Sequence, residues 1–154
     1  MVYKASLDGM DDDLLYYVCE LAHNGDLYSA LANDRVCGDL LWYQRGKSIA
    51  LQVARGLYYL HSNGIVHLDI KSPNILLTET WKAKIADVGL ARTLRSKSHL
   101  TTIPGGTYDW QAPETLLGRH ASFSADIFSY GVVLLEIITG VKPKRGAYPT
   151  PEYV

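Results

Sequence analysis

The sequence predicts an α+β fold in which helices supply most of the core and a few short strands supply its edges. Three observations predict it. Two long stretches carry apolar residues at helical spacing, the β-like pieces between them are short, and polar loops separate the pieces. At 154 residues the chain suffices for one domain, and 15 Lys plus Arg against 16 Asp plus Glu leave a formal net charge of −1. That balance offers no global excess to draw the chain onto nucleic acid or an acidic membrane face, so no nucleic-acid partner is expected. Cys19 and Cys37 are too few for a disulfide framework or a four-thiolate metal site and favour a reducing, cytoplasmic setting.

The elements follow in order. Residues 2–7 and 14–20 read as two strands joined by a turn through Asp8-Gly9 and the acidic run at 11–13. Met1 is thus followed by a strand-like segment, and no secretory signal is expected. Gly25-Asp26 opens a short helix to about residue 32, with Asp26 as its N-cap. After a loop through Gly38, a longer helix is expected over residues 41–62. Ile49, Val53, Leu57 and Leu60 form its apolar stripe, and Asn63-Gly64 supply the stop.

Short strands are expected at 65–66, 75–77 and 84–86, with the chemistry in the loops between them. A Ser- and Thr-rich segment, 92–107, precedes Ala112-Pro113-Glu114. A second buried helix is expected over 125–139, followed by Gly140 and a tail rich in Pro and Gly. Its most apolar part, 130–138, is interrupted by Glu136 and is far shorter than the roughly 20 residues that span a bilayer, so no membrane segment is expected in this chain.

The informative loops are His67-Leu68-Asp69-Ile70-Lys71-Ser72-Pro73-Asn74 and, after a short interval, Asp87-Val88-Gly89. A single Asp in a loop is usually a turn or a cap. The set at these offsets is far more specific, and it resembles the catalytic and metal-binding loops of protein kinases. The resemblance implies a protein kinase-like fold, mainly the helical large lobe with a remnant of the small-lobe sheet and hinge. Residues 1–20 would be small-lobe strands, 21–25 the hinge and 26–154 an incomplete large lobe. It also implies transfer of the γ-phosphate of ATP to Ser or Thr hydroxyls of a protein substrate, with Mg²⁺.

Phosphoryl transfer needs an oriented hydroxyl and neutralised phosphate charge, and these residue types suit both tasks. By the resemblance, Asp69 orients the hydroxyl and Lys71 places its ammonium on the γ-phosphate. Asn74 and Asp87 supply the hard oxygens that Mg²⁺ prefers. Lys71 with Ser72-Pro73 resembles the serine/threonine version of the loop, and His67 is expected to pack behind it in a hydrophobic column with Val88. Gly106-Thr107-Tyr108-Asp109-Trp110-Gln111-Ala112-Pro113-Glu114 resembles the end of an activation segment, where a peptide docks and Thr107 would contact Asp69 and Lys71. The Gly-Thr start and Trp110 are most similar to the tyrosine-kinase-like group of serine/threonine kinases, which includes plant-type receptor-like kinases.

Ser124-Ala125-Asp126-Ile127-Phe128-Ser129-Tyr130-Gly131 resembles the central large-lobe helix, with Asp126 holding the backbone of the catalytic loop or capping its own helix. Upstream, residues 16–27 resemble the strand and hinge that hold adenine. Cys19 takes the gatekeeper position there, backbone groups of Glu20 and Ala22 meet the purine edge, and Leu76 forms part of the floor.

The sequence also departs from the family pattern. It contains no glycine-rich phosphate loop, lysine strand or paired helix glutamate. Lys4 cannot be the lysine of that strand, because a three-turn helix alone needs about 11 residues and a further strand would also have to fit before Leu14. Leu68 replaces the arginine that receives an activation-loop phosphate, which argues against control through Ser96, Ser98, Thr101 or Thr102. Val88 replaces the usual phenylalanine, and the arginine that pairs with Glu114 in the family lies beyond these residues. Two readings follow: a portion of a serine/threonine protein kinase whose activity alone is expected to be low, or a catalytically inactive pseudokinase-like interaction module. Either way, helices shaped for further partners should expose apolar surface.

Overall fold

The computed structural model describes residues 20–93, 107–118 and 122–144. The hairpin expected over 2–20 (Glu20 apart), together with Lys4, Cys19, Ser96, Ser98, Thr101 and Thr102, lies outside the described residues.

Helix α1, Leu27–Leu31, starts where Asp26 leaves extended backbone and its carboxylate accepts the Ser29 N–H at 2.8 Å. Helix α2, Cys37–Leu40, is a single turn where the sequence suggested only a loop. The long helix expected from residue 41 begins later, as α3, Lys47–Ser62. Leu41 is extended, and the chain then makes a wide turn over Trp42–Gly46, with Gln44 in a non-helical conformation. Packing causes the delay. A Cβ at Gly46 would lie 2.6 Å from Ile137 Cγ2 and 2.7 Å from the Leu41 carbonyl, so the backbone passes too close to its neighbours for a regular helix to start earlier. Of the stripe, Ile49, Val53 and Leu57 are buried as read, whereas Leu60 is only half-buried.

Strand β1, Ile65–Val66, pairs antiparallel with β4, Arg92–Thr93, and β2, Ile75–Leu77, pairs antiparallel with β3, Ala83–Ile85. Strand β3 thus sits one residue earlier than expected, and β4 lies in what the sequence presented as the start of a polar segment. The β2–β3 hairpin rests on α3 at Gly56, where an added Cβ would meet Ile85 at 2.9 Å, and Gln52 accepts the Ala83 N–H at 2.8 Å.

The one-turn helix α4, Pro113–Leu116, precedes α5, Phe123–Thr139, which begins two residues before the expected start with Ser122 as its N-cap. Gly140 closes α5 at φ +69°, where its N–H bonds the Glu136 carbonyl at 2.8 Å. Helix α5 is not buried all round. Val133 and Ile137 face the core, whereas Ile127, Phe128, Leu135 and Ile138 are exposed. Helices α3 and α5 are tied by the Tyr130 hydroxyl, which donates to the Ala50 carbonyl at 2.9 Å. The core lies between these helices, the hairpin and α1, and the loop at 67–74 runs along its edge.

Candidate active site

Short-range geometry brings the catalytic-loop residues together. Asp69, 8% exposed, accepts the Lys71 ammonium at 2.7 Å on Oδ2, and the same ammonium donates to Thr107 Oγ1 at 2.7 Å. Thr107 Oγ1 in turn donates to Asp69 Oδ1 at 3.1 Å, closing a triangle between two segments distant in sequence. Asn74 is buried and spends both amide hydrogens on Asp69, on the carbonyl at 2.8 Å and on Oδ2 at 3.0 Å. Its Oδ1 is therefore the atom left to accept or ligate.

The hairpin explains why Asp87 belongs to the same region. Strand register pairs Ile75 with Ile85, and the Ala86 N–H continues the ladder onto the Asn74 carbonyl at 2.9 Å. Asp87 follows at once. It takes a left-handed backbone, φ 60°, accepts the Gly89 N–H on Oδ1 at 3.3 Å, and leaves its carboxylate exposed. An amide oxygen and a carboxylate at one end of one hairpin form a hard-oxygen donor pair, the chemistry that fits Mg²⁺ with phosphate and water completing the shell. Among the described residues no group of three or more His, Cys, Asp or Glu could hold a metal by itself.

Asp126 fixes the loop from below. It is buried, and its carboxylate accepts the N–H of His67 at 2.9 Å, the N–H of Leu68 at 2.8 Å and a ring nitrogen of His61 at 2.8 Å. Leu68 sits at φ 70°, which a branched side chain adopts only under such restraint. His67 is fully buried. Its Nε2 faces the Ala86 carbonyl at 3.1 Å and its Nδ1 accepts the Asp69 N–H at 3.3 Å, so the hydrogen-bond network assigns the ring proton to Nε2. His67 thus ties the catalytic loop to the residue before Asp87. Val88 corrects the expected hydrophobic column, because it is 61% exposed.

The residues expected to form the hinge make contacts of their own, away from the Asp69–Lys71–Thr107 triangle. Glu20 pairs with Lys84 on the surface, and the Ala22 carbonyl accepts the Gly25 N–H at 3.1 Å in a turn. The segment after them is stitched to β2. Asn24 N–H bonds the Leu77 carbonyl at 3.1 Å, Leu77 N–H bonds the Gly25 carbonyl at 2.8 Å, and Asp26 bridges Leu76. Leu76 is half-buried beside this crossing.

One buried polar group beside the catalytic loop escaped the sequence reading. Glu136, 2% exposed in α5, accepts the Ser72 hydroxyl at 2.6 Å on Oε1 and the Trp110 indole N–H at 2.8 Å on Oε2. Burial pushes its carboxyl up to about 7, against the two hydrogen bonds and the nearby Lys142 charge, which act in the opposite direction. The sequence treated Glu136 as a break in an apolar run. The available signal was its spacing, seven residues after Ser129 and three after Val133, which places it on the buried face of α5.

A helical layer that presents one buried carboxylate with a lysine and a threonine, next to a hard-oxygen pair, has the layout of an enzyme that moves charged groups. The protein kinase domain model matches residues 4–152, and the chain belongs to that family. It is 42% identical over 133 residues to Probable serine/threonine-protein kinase kinX of Dictyostelium discoideum, an alignment covering 86% of this chain and 12% of kinX. It is 45% identical over 139 residues to receptor protein-tyrosine kinase CEPR1 of Arabidopsis thaliana, covering 87% of this chain and 14% of that protein. A probable receptor-like serine/threonine-protein kinase of Arabidopsis thaliana is 43% identical over 145 residues, covering 91% of this chain and 24% of that protein. The chain therefore spans a quarter or less of the length of these relatives. Protein kinases as a family use ATP with a divalent metal and act on proteins. No helix among the described residues is long and apolar enough to cross a membrane.

Proposed function

We propose that this chain carries the acceptor and metal-binding side of a serine/threonine protein kinase site, in a parent that transfers the γ-phosphate of ATP to protein hydroxyls. The observation that carries this reading is the closed triangle of Asp69, Lys71 and Thr107, with Asn74 bonded to the Asp69 end. Asp69 receives the hydrogen bond of the acceptor hydroxyl and aims its oxygen at phosphorus. Lys71 sits within reach of both that carboxylate and a transferred phosphoryl, and Thr107 lines the docking edge. A lysine two residues after the aspartate, in contact with Thr107, supports Ser or Thr rather than Tyr as the acceptor.

Asn74 Oδ1 and the Asp87 carboxylate would hold Mg²⁺, which when bound neutralises charge on the phosphates. Backbone groups of Glu20 and Ala22 would meet the adenine edge, with Leu76 in its floor, so residues 21–25 act as the hinge between strands at 1–20 and the lobe at 26–154. A cytoplasmic placement of this domain agrees with its chemistry, since ATP is an intracellular substrate.

The test uses a chain extended by any coding sequence upstream, supplied with Mg-ATP and a generic Ser/Thr substrate. Phosphate incorporation should appear and fall at least a thousandfold on Asp69→Ala, the order of effect expected for loss of an orienting group together with its electrostatics. Absence of incorporation in the unaltered chain would instead favour the inactive interaction module.

A further inference from the structure

Helix α3 and the turn that leads into it carry positive charge with nothing to balance it. Between Asp39 and Asp69 the sequence holds Arg45, Lys47 and Arg55 and no carboxylate. Arg45 and Lys47 are exposed, and among the described residues neither has a carboxylate partner. Each rests on an aromatic ring instead. Arg45 Cζ lies 5.7 Å from the centre of the Trp81 ring, and Lys47 Nζ lies 5.4 Å from that of Tyr43. A charge-assisted hydrogen bond to an oxyanion is stronger than a ring contact at an exposed site, so both cations can be drawn to an anion placed between them.

Ser48 occupies that place. It is exposed, three residues after Arg45 and one after Lys47, and its Oγ accepts from Gln52 Nε2 at 2.9 Å. Arg45 and Gln52 both reach the β2–β3 hairpin, Arg45 over Trp81 and Gln52 through Oε1, which accepts the Ala83 N–H at 2.8 Å. A phosphoryl group on Ser48 would thus set a charge of about −2 among a guanidinium, an ammonium and an amide N–H. Other exposed hydroxyls offer the reverse setting: Ser29 donates to the Asp26 carboxylate at 2.8 Å, and Thr80 directly follows Glu79.

We propose that Ser48 is a phosphorylation site, modified by a serine/threonine kinase whose acidic groove reads Arg45 and Lys47, and that Arg45, Lys47 and the Gln52 amide then hold the phosphate and tighten α3 on the β2–β3 hairpin. In the transfer, Ser48 Oγ forms a bond to the γ-phosphorus of ATP. The bond from that phosphorus to the ADP oxygen breaks, ADP keeps the electron pair, and the hydroxyl proton passes to the base of the modifying enzyme. Little structure has to open for this. Leu41 is extended, Gln44 is non-helical, and Ser48 is only the second residue of α3. Strand β3 leads directly to Asp87, so the modification bears on the hairpin end that carries the proposed metal oxygens. Its occurrence does not depend on the kinase reading of this chain.

The 154-residue chain and a peptide of residues 41–53 are treated side by side with Mg-ATP and a kinase selective for arginine three residues before the acceptor. Tandem mass spectrometry separates Ser48 from Ser98 and Ser122, the other serines at that spacing from an arginine. It should find at least half a phosphate per chain on Ser48, and Arg45→Gln should slow the modification at least tenfold in both chain and peptide. A peptide that is modified while the folded chain is not would overturn the proposal, because the fold would then hide the hydroxyl. Failure of both, or an unchanged rate in Arg45→Gln, would overturn recognition through the cations.

A chain carrying phosphoserine at position 48 alone tests the capture. Its phosphate, followed by phosphorus NMR, should titrate at least half a pH unit below the usual value of about 6 and return to it in Arg45→Gln. Hydrogen exchange at the Ala83 amide should slow at least threefold, with the amides of α5 unchanged. A phosphate that titrates at the usual value, or an Ala83 amide that does not slow, would refute the hold on the hairpin.

Discussion

Glu136 has a consequence for stability as well as for geometry. Its carboxyl titrates near 7 when folded and near 4.5 when unfolded, because burial disfavours the charged form more than Ser72, Trp110 and Lys142 favour it. Between those values the folded state holds the extra proton, so this group's contribution is full below pH 4.5 and is lost as pH rises through 7. Glu136→Gln removes that titration. Relative to the unaltered chain, the glutamine variant should gain about 3 kcal/mol as pH goes from 4.5 to above 7, as read by urea denaturation at several pH values. A constant difference across that range would show that Glu136 is not the titrating group. Asp126 is buried among donors, the His67 and Leu68 N–H groups and the His61 ring. Asp126→Asn turns one acceptor into an amide facing the His67 or Leu68 N–H, and should destabilise the fold by about 3 kcal/mol or more, measured by the same denaturation at fixed pH. Asp126 was legible in the sequence because it stands in a recognisable helix motif. Glu136 was not, because its partners Ser72 and Trp110 lie 64 and 26 residues away and nothing local marks them as donors.

Among the elements, the Gly25-Asp26 start located α1 and the pattern of apolar residues located α3 and α5, but not where α3 begins. Leu41, Trp42 and Tyr43 continue a plausible helical run, and periodicity cannot tell a helix from a wide turn that also buries apolar side chains. The deciding feature is the contact of Gly46 with Ile137 and Leu41, which only the tertiary structure contains. Gly46→Ala should therefore lower stability by about 2 kcal/mol, since the obstructing atoms include backbone that cannot rotate away. Gly131 supplies the contrast: it lies inside α5 with nothing within 4 Å of an added Cβ, so Gly131→Ala should raise stability by about 0.5–1 kcal/mol. Thermal melts of the two variants decide the matter, and a stabilising Gly46→Ala would remove the packing account of the delayed helix. The strand β4 was invisible for a related reason. Arg92 and Thr93 are exposed, and nothing in their own composition marks them for pairing with Val66 and Ile65.

At the scale of the molecule, the described residues gather the groups proposed to serve the acceptor and the metal, while the sequence carries neither the glycine-rich loop nor the paired lysine and glutamate that grip the α- and β-phosphates in the family. The loops were legible because phosphoryl transfer demands particular residue types at short fixed offsets. Their mutual placement was not, because it depends on α5 reaching across to both of them. Nucleotide held only by a hinge backbone, Asn74 and Asp87 lacks the lysine and glycine-rich loop that supply most of the phosphate contacts, so a dissociation constant of about 1 mM or weaker is expected. Ligand at 1 mM then stabilises the fold by no more than RT ln 2, about 0.4 kcal/mol. For a domain of this size that is a thermal shift of about 1 °C with Mg-ATP, falling to nothing in Asp87→Ala or when EDTA removes the metal. A shift of several degrees that persists in Asp87→Ala would mean that nucleotide binds somewhere other than the hairpin end, and the assignment of Asn74 and Asp87 to the metal would have to be abandoned.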